Sequence, residues 1–347
     1  MQKILIIKLR AIGDVLLSTI VISNLRGAYP DAQIDFLTEA PAKDVVAGNP
    51  DLNRIIVFDL NKIRSMGFWK GLQENLRFIS ALRKTRYDMV FDFFGNPRSA
   101  LLTLMSRAKQ RIGYNWRARQ LAYNVVVQSR AASVHEAEFH LDALTALGIP
   151  IIDGQLHFPI PDAAKNFANQ FFEENNLDRA FTVGINASGG WSAKKWLPEY
   201  FAELADRLMA ELDAKIILLW GPGELPETEK LARLIRHEAT IIPETDLKQL
   251  GAILEKCSLV VSNDSGPMHI AAAIGTPTVG IFGPTDPKKQ GPYGSQHEVA
   301  VKKELHCLGC DKLHCESNAC MRELSVDDVW QAVQKCIEKN QLRRVRL

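Results

Sequence analysis

An aspartate in the turn after the first apolar run is the first residue whose position suggests chemistry. The segment KILIIKLRAIGDVLLSTIVISNLRGAYP, residues 3 to 30, has the pattern of a strand, a tight turn and a helix. Its turn carries Lys8, Arg10 and Asp14, although a plain connection needs no charge. Asp14 is expected at the N-cap, where a carboxylate accepts backbone N–H bonds. The same carboxylate at the mouth of a cleft could take a proton from an acceptor hydroxyl.

Two later loops have the composition of anion-binding sites. In NASGGWSAKKW, Ser188 and two glycines follow an apolar run and precede Lys194. Exposed backbone N–H groups and a lysine can hold a phosphate, whereas the spacing is not that of an ATP-hydrolysing P-loop. A flexible surface loop is the alternative. In SNDSGPMH, Asp264 precedes Ser265 and Gly266 at a predicted helix N-terminus, which also favours anions.

Two other polar residues are candidates for ligand contact, and each has a structural alternative. Glu224 follows the sharp turn WGPG after an apolar run. A carboxylate there can bind ribose hydroxyls, although a glutamate in a turn is usually just solvated. His269 lies on the first turn of the helix that is predicted to end at Ile274, with Gly275 as its C-cap. It is either a cleft residue beside Asp264 or a satisfied core histidine.

Four cysteines lie close together near the C-terminus. Cys307, Cys310, Cys315 and Cys320 fall within the segment HCLGCDKLHCESNACM. Such a group suits a structural, tetrahedral zinc site in a reducing compartment, although the spacing is not that of a standard zinc-finger pair. Redox-sensitive or disulfide-forming thiols and buried free thiols are the alternatives. A catalytic metal is not expected, because the cysteines lie beyond the phosphate loops.

The elements that position these residues alternate between strands and helices. Short apolar runs predict strands at KILIIK, AQIDFLT, RIIVFD, DMVFDF, FTVGINA, KIILLWG, TIIP, SLVVSND and TPTVGIFG. Apolar residues at helical spacing lie between them, at Leu17, Val21, Leu25 and Ala28, at Trp69, Leu72, Leu76, Ile79 and Leu82, and in a helix over 198–211 with Pro198 in its first turn. Continuous apolar strands separated by amphipathic helices indicate parallel sheets covered on both faces.

The pattern weakens over residues 115–160 and restarts at FTVGINA, which predicts two doubly wound domains in series. The N-terminal domain is placed at 1–160, the C-terminal domain at 175–335 and a basic tail at 336–347, with the boundary near 155–178. In such sheets ligands bind beyond the carboxyl ends of the strands. A site in a central cleft between two facing domains is therefore expected.

Composition excludes several classes of protein. Of the 347 residues 46% are hydrophobic and 24% are charged, as in ordinary soluble proteins, and a net charge of +2 argues against a general nucleic-acid binder. No secretory signal and no apolar run of about 18 residues is visible, so a cytoplasmic location is expected. The basic run Arg343–Arg346 is either a solvated tail or weakly attracted to an anionic membrane surface.

Several segments together resemble glycosyltransferase family 9, the ADP-heptose:lipopolysaccharide heptosyltransferases, over nearly the whole chain. They are IGD after the first strand, KKWLPEYFAELADRL, WGPGE and SNDSGPMHIAAAIGTPTVGIFGPTDP. The resemblance implies a GT-B fold, with two Rossmann-like domains facing a central cleft. It also implies inverting transfer of L-glycero-D-manno-heptose from ADP-heptose to the inner core of lipopolysaccharide, without a required metal. A lipid-linked acceptor implies transient contact with the cytoplasmic face of the inner membrane.

The resemblance also assigns roles to residues. Asp14 resembles the general base that deprotonates the acceptor hydroxyl. Lys194 and Ser188 resemble residues near the donor diphosphate, and Glu224 resembles the ribose-binding acid. The loop that holds heptose and diphosphate is matched by Asp264, Ser265, Gly266 and His269. Arg98 and Arg111 lie in a segment similar to the acceptor side, where they could meet an anionic lipid-linked sugar.

Two other functions are considered beside heptose transfer. One is a GT-B enzyme that uses another nucleotide sugar, such as a sugar-nucleotide epimerase, which would not need a lipid-facing N-terminal domain. The other is a non-catalytic protein that binds nucleotide sugars. An Asp14→Ala variant discriminates, since a catalyst would lose turnover and keep donor binding. Because of the four clustered cysteines, the sequence does not decide to which subgroup of the family the chain belongs.

Overall fold

The computed structural model describes residues 1–342 of the chain, which divides into two compact units. Unit 1 is Met1–Pro159 and unit 2 begins at Ile160. The predicted tail at 336–347 overlaps a helix that extends to Lys339, and the basic run Arg343–Arg346 lies outside the described residues. No helix within the described part is long and apolar enough to cross a membrane.

Unit 1 is built on a six-stranded parallel sheet. Its strands are β1 (Lys3–Ile7), β2 (Gln33–Thr38), β3 (Arg54–Val57), β4 (Met89–Asp92), β5 (Gln110–Tyr114) and β6 (Val125–Val127), in the order β3-β2-β1-β4-β5-β6. Ile7 at the end of β1 lies opposite Leu37 of β2 and Asp92 of β4. The chain winds outward in both directions from β1, so the strand order reverses between β1 and β4. Reversal points of this kind form crevices at the carboxyl edge of a sheet.

The helices of unit 1 lie between these strands along the chain and after the last of them. They are α1 (Ile12–Leu17), α2 (Ile20–Ala28), α3 (Lys43–Val46), α4 (Leu60–Ser65), α5 (Phe68–Thr85), α6 (Pro97–Ser106) and α7 (Glu136–Thr145), with 3-10 turns at Ala40–Ala42 and Arg117–Ala122. The stretch 115–160, where the sequence pattern is weak, therefore contains the last strand and the last helix of the unit.

The first predicted helix is interrupted in the structure. α1 ends at Leu17 and α2 starts at Ile20. The hydroxyl of Ser18 donates to the carbonyl of Val15 and that of Thr19 donates to the carbonyl of Leu16, each at 2.7 Å. Such back-bonding offers the backbone an alternative to the helical pattern, which explains the break that apolar spacing alone does not show.

The predicted apolar face of α5 is only partly used for packing. Phe78, Ile79 and Leu82 pack on the core of unit 1. Trp69, Leu72 and Leu76, which share the same spacing, are exposed to solvent. The expectation that all five predicted positions cover the sheet is therefore wrong, because of the five only Ile79 and Leu82 pack on the core.

Unit 2 repeats the sheet topology of unit 1. Its strands are β7 (Phe181–Asn186), β8 (Ala214–Leu218), β9 (Thr240–Ile241), β10 (Leu259–Asn263), β11 (Thr278–Phe282) and β12 (Glu298–Val301), in the order β12-β11-β10-β7-β8-β9. Here the order reverses between β7 and β10, where Asn186 lies opposite Ser262. The predicted α/β class with two doubly wound domains is confirmed.

Eight helices cover the sheet of unit 2 within the described residues. They are α8 (Asp162–Glu174), α9 (Pro198–Leu212), α10 (Leu225–Leu234), α11 (Leu247–Lys256), α12 (Gly266–Ala273), α13 (Pro287–Gln290), α14 (Ala319–Arg322) and α15 (Val326–Lys339), with a 3-10 turn at Ser192–Lys194. Pro198 is the first residue of α9, as predicted. The C-cap of α12 is Ile274 rather than Gly275, which follows it at φ +87°.

The start of α12 lies close to the sheet. A Cβ on Gly280 of β11 would come within 2.8 Å of the Met268 sulfur in the first turn of the helix. Ala271 and Ala272 on the same helix are buried. Small residues on both sides therefore allow the N-terminus of α12 to sit directly at the carboxyl end of β10.

Candidate functional site

A buried amide joins the two strand ends at the reversal point of unit 2. The Asn186 side chain donates to the Ser262 hydroxyl at 3.0 Å and to the Ser265 hydroxyl at 2.8 Å. Its carbonyl oxygen accepts from the Ser188 hydroxyl at 2.9 Å. Asn263 makes the corresponding link on β10, since its amide donates to the Ala187 carbonyl at 2.7 Å. These bonds fix the loop after β7 relative to the start of α12.

A lysine and an aspartate from two different loops form an ion pair at this edge. The Lys194 ammonium lies 2.6 Å from Oδ2 of Asp264, and the two side chains are only 13% and 4% exposed. The Thr285 hydroxyl donates to the same carboxylate oxygen at 2.5 Å, and the Trp191 ring lies 4.3 Å from the ammonium. Because an ammonium carries three donors, Lys194 can bind Asp264 and a phosphate oxygen together.

The N-terminus of α12 adds a second positive pole beside this pair. Ser265 is the N-cap, but its side chain makes no capping bond to the first helical N–H groups. It donates instead to the Asn263 carbonyl at 3.1 Å. Gly266 is the first helical residue, and His269 is buried within the first turns. Backbone N–H groups at a helix start attract anions, so this edge can hold a phosphate group.

Glu224 occupies the turn after β8 and is the N-cap residue of α10. One of its carboxylate oxygens accepts the Gly221 N–H at 2.8 Å, and the side chain is half-buried. The carboxylate therefore closes its own turn, which gives it a structural task beside any contact with a ribose.

A cavity of about 760 Å³ opens in unit 2 beside the loop that follows β7. Its lining includes Ser188, Ser192, Lys195 and Cys315. The Lys195 ammonium is 2.6 Å from a Glu227 carboxylate oxygen. Ser188 thus lies between the polar strand ends and a space large enough for a small ligand.

In unit 1, Asp14 lies in the first turn of α1, at the carboxyl end of β1. The N-cap of this helix is Ala11, so the predicted N-cap position of Asp14 is wrong. Its side chain is half-buried, and its charge acts on the nearby Lys8. The structure therefore places a carboxylate at the reversal point between β1 and β4, the position where doubly wound sheets bind ligands.

Lys8, which directly follows β1, is a buried cation beside Asp14. Its ammonium lies 2.7 Å from a Glu136 carboxylate oxygen. Burial by itself lowers the pKa of Lys8, but the charges of Glu136, Asp14 and Asp92 raise that pKa above its ordinary value. The neighbouring His140 is buried and near Lys8, which lowers its pKa to about 3. Lys8 is therefore a permanent positive charge next to the candidate base.

The two arginines assigned to the acceptor side differ in how much of the guanidinium is occupied. Arg111 donates to the carbonyls of Ala122 and Ala108, at 2.9 and 3.0 Å, so it braces the β5 region. Arg98 lies near the start of α6 with one nitrogen 3.4 Å from a Glu39 carboxylate oxygen. Arg98 thus sits at the carboxyl edge of the sheet, whereas the contacts of Arg111 are structural.

The structure does not show the predicted zinc site at the four clustered cysteines. All are free thiols; Cys307 and Cys310 are exposed, Cys315 is half-buried and Cys320 is buried. Within residues 1–342, no three side chains of His, Cys, Asp or Glu are grouped so that they could hold a metal ion. Bonds from Ser317 and from backbone lower the pKa of the Cys315 thiol, whereas burial raises that of Cys320 to about 11.

The cysteine-bearing segment contacts the loop that carries Lys194 and the loop that carries Thr285. The Leu313 carbonyl accepts from the N–H of Ala193 at 3.3 Å, and Nδ1 of His314 lies 2.7 Å from the Ser192 hydroxyl. On the other side, the Gly309 N–H donates to the Gly283 carbonyl at 3.2 Å, close to Cys320. The segment therefore supports the loops of Lys194 and Thr285.

Three residues of this arrangement are absent from the sequence-based site. Asn186 ends a predicted strand and Thr285 lies within the motif GPTDP, so both were visible as polar residues at strand ends. Lys8 stood out as a charge in the first turn, but its partner Glu136 is 128 residues away. Strand-end position is the signal that could have identified all three.

Two doubly wound domains, each with polar side chains at its reversal point, define the GT-B class of fold. The structure superposes on a family 9 glycosyltransferase from Veillonella parvula with a TM-score of 0.86, at 24% identity over 97% of this chain and 98% of that one. For E. coli heptosyltransferase WaaC with ADP the TM-score is 0.76, at 24% identity over 96% and 100%. These likenesses show the fold.

Sequence comparison identifies the family. The model of glycosyltransferase family 9 (heptosyltransferase) matches residues 75–320. Lipopolysaccharide heptosyltransferase 1 of Pseudomonas aeruginosa is 25% identical over 349 aligned positions, which cover 99% of this chain and 96% of that protein. The chain belongs to glycosyltransferase family 9, the heptosyltransferase family, and is a glycosyltransferase. The predicted family is therefore confirmed.

Proposed function

We propose that this enzyme transfers heptose from ADP-L-glycero-D-manno-heptose to the inner core of lipopolysaccharide, with inversion at the anomeric carbon. Family membership supports the reaction type, and the Pseudomonas relative is named for lipopolysaccharide. The similar WaaC structure contains ADP. The observation that carries the proposal is the Lys194 ammonium, held by Asp264 beside the start of α12, since an ammonium and backbone N–H groups are the donors that bind a diphosphate.

Unit 2 binds the donor in this proposal. The Lys194 ammonium, held by Asp264, and the N–H groups of Ser265 and Gly266 bind the diphosphate of the nucleotide sugar. His269 and Asp264 lie where the heptose meets the diphosphate. Glu224 binds ribose hydroxyls with the oxygen that Gly221 does not use. Ser188 lies near the phosphates.

Unit 1 activates the acceptor. Asp14 removes the proton from the acceptor hydroxyl as its oxygen bonds to the anomeric carbon. The bond between that carbon and the diphosphate oxygen breaks, and its electron pair leaves with ADP. A single displacement of this kind inverts the anomeric centre. Arg98 and Arg111 meet the anionic acceptor in this proposal, and Arg111 also donates to the Ala122 carbonyl.

The negative charge that develops on ADP is stabilised by Lys194 and the α12 N-terminus. Fixed donors aimed at a developing charge are usually the largest electrostatic contribution to catalysis. No step in this scheme uses a metal ion, and nucleic acid has no part in it. The acceptor is lipid-linked, so we place the enzyme at the cytoplasmic face of the inner membrane.

Nucleotide specificity tests the proposal. The melting temperature of the protein is measured with ADP-heptose, with ADP-glucose, and with UDP-, GDP- and CDP-sugars. Ligands that bind the folded state raise its stability in proportion to the logarithm of their concentration over Kd. We expect ADP-heptose to give the largest shift. A larger shift with a UDP-sugar would replace heptose transfer by the reaction of another nucleotide sugar.

A further inference from the structure

A group of large apolar side chains projects into solvent from the N-terminal half of α5. Phe68 is 76% exposed, Trp69 78%, Leu72 43% and Leu76 56%. The two aromatic rings contact each other edge to face, with centroids 5.2 Å apart. Scattered exposed apolar residues are normal, but a contiguous group indicates an interaction surface.

These four residues lie on one side of the helix. Positions 68, 69, 72 and 76 follow the spacing of one and four residues that places side chains on a common stripe. Phe78, Ile79 and Leu82 in the C-terminal half of α5 pack on the core, whereas the four residues in its N-terminal half are exposed. The exposed apolar group is therefore not part of the hydrophobic core of unit 1.

The surroundings of this stripe are strongly basic. Residues 60–86, which include α4 and α5, contain seven lysines and arginines and the single acid Glu74. The charge of this segment is thus +6, whereas the whole chain has a net charge of only +2. The exposed basic residues are Lys62, Arg64, Lys70, Arg77, Lys84 and Arg86.

We propose that this segment, residues 60–86 with the exposed stripe (the α4–α5 surface), docks on an anionic lipid membrane. Aromatic and leucine side chains enter the boundary between headgroups and acyl chains, while lysines and arginines contact lipid phosphates. This combination is the physical signature of interfacial helices. A juxtamembrane basic cluster gains roughly 1 kcal/mol per charge from an anionic leaflet.

A second copy of the chain fits this surface less well. Two α4–α5 surfaces in contact would bring +6 against +6, and like charges brought together disfavour association. A lipid surface supplies negative charge and an apolar interior at once. The inference does not depend on the identity of donor or acceptor, because it uses only the exposure and charge of unit 1.

Vesicle binding of the full chain tests the proposal. Sedimentation is measured with vesicles of phosphatidylcholine alone and of phosphatidylcholine mixed with phosphatidylglycerol. We expect binding to the mixed vesicles that falls with added salt. The triple variant Lys62→Gln, Arg64→Gln, Lys70→Gln is expected to bind about 100-fold more weakly. The double variant Phe68→Ser, Trp69→Ser is expected to lose at least about 10-fold.

Two controls make the result specific to this surface. Leu234→Ser removes a leucine of unit 2 that is 46% exposed, and it should leave vesicle binding unchanged. A chain that lacks residues 343–347 tests the basic run at the C-terminus, and it should retain most of the binding. Sedimentation equilibrium without lipid gives the oligomeric state, which should be the same for wild type and the double variant.

Several outcomes would overturn the proposal. Binding that survives in both the triple and the double variant would show that the α4–α5 surface is not the contact. If vesicle binding is lost only when residues 343–347 are removed, the basic run at the C-terminus and not the α4–α5 surface makes the contact. A dimer that the double variant converts to monomer would make the stripe an interface between copies. The melting shifts caused by the donor should be the same in all variants. A negative result for membrane binding would therefore not count against the proposed reaction, which the nucleotide-specificity experiment tests.

Discussion

The Lys194 ammonium and the Asp264 carboxylate fix each other in a position with little access to water. Transfer of both charges out of water costs several kcal/mol per ion before their attraction is counted. The pair alone is therefore weak support for the stability of the fold. A site that must grip a diphosphate gains from it, because Asp264 and Thr285 hold the lysine in place before the anion arrives.

Asp264→Asn keeps the shape of this side chain and removes its charge. We expect donor affinity to fall by about 10- to 100-fold, since hydrogen bonds to charged groups contribute roughly 1.5–3 kcal/mol. Isothermal titration calorimetry with ADP measures this affinity. Asp327→Asn is the matched control, because the Arg207–Asp327 pair has the same 2.6 Å separation but its carboxylate is 78% exposed. Equal ADP affinity in both variants and wild type would remove Asp264 from the donor site.

At the scale of residues, sequence reasoning found charges more easily than partners. Lys194 and Asp264 stand out because lysine and aspartate follow apolar strands in glycine-rich loops. Asn186 and Thr285 are also polar residues near strand ends, but their roles depend on hydrogen bonds to residues 76 and 21 positions away. Strand pairing creates those contacts, and a single sequence does not display strand order.

At the scale of elements, the segment that carries the clustered cysteines supports the loops of Lys194 and Thr285. Its Leu313 and His314 hold the 3-10 turn that ends in Lys194. Its Gly309 is bonded to the loop that leads to Thr285. The spacing of the cysteines predicted metal chemistry, whereas the backbone and His314 account for what the segment does in the structure.

His314→Ala removes the bond to Ser192 and leaves the rest of the segment. We expect the KM for the donor to rise by about 3- to 10-fold, because one neutral hydrogen bond contributes roughly 1 kcal/mol. The KM for the acceptor should not change. His306→Ala is the control, since His306 is exposed on the same segment. A parallel rise of both KM values, or no change, would contradict a role in positioning Lys194.

Strands were easier to predict than helices at the scale of elements. The continuous apolar runs predicted the bounds of β1, β2 and β10 to within one residue, because a strand that is buried on both faces is apolar along nearly its whole length. Helical spacing could not show which apolar residues of α5 are exposed, since a stripe has the same period whether it covers a sheet or faces solvent. The α1–α2 break depends on hydroxyls of Ser18 and Thr19, which hydrophobic spacing ignores.

The whole molecule contains the same sheet topology twice. The sequence predicts the α/β class of both units but not the order of their strands. Alternating strands and helices imply parallel sheets and two domains for 347 residues. The order 3-2-1-4-5-6, shared by both units, is a matter of which strands pair. That order matters for function, because it places Asp14 and Asp264 at the reversal points of their sheets.

Acid should destabilise the folded protein through its buried histidines. Burial and the charge of Lys8 lower the pKa of His140 to about 3, and burial lowers that of His297 to about 4. Below about pH 6.5 the unfolded chain takes up protons that the folded chain does not, so this contribution to stability is lost as pH falls from 6.5. Above that value both states are neutral and the contribution is constant.

His140→Phe should remove part of this pH dependence. We expect the free energy of unfolding of the wild type to fall by about 1 kcal/mol per buried histidine between about pH 7.5 and pH 5.5. Urea denaturation at the two pH values measures the difference. His237→Gln, at an exposed histidine of unit 2, is the control and should keep the wild-type slope. An unchanged slope in His140→Phe would contradict a neutral buried imidazole.

The most direct measurement concerns Asp14, the base of the proposed reaction. Transfer from ADP-heptose to a lipid-linked core acceptor is compared for wild type, Asp14→Asn and Asp162→Asn, a control acid in the first turn of α8. We predict that Asp14→Asn lowers kcat by about 10²- to 10⁴-fold with ADP affinity unchanged, while Asp162→Asn behaves as wild type. An Asp14→Asn enzyme that transfers heptose at the wild-type rate would contradict the account.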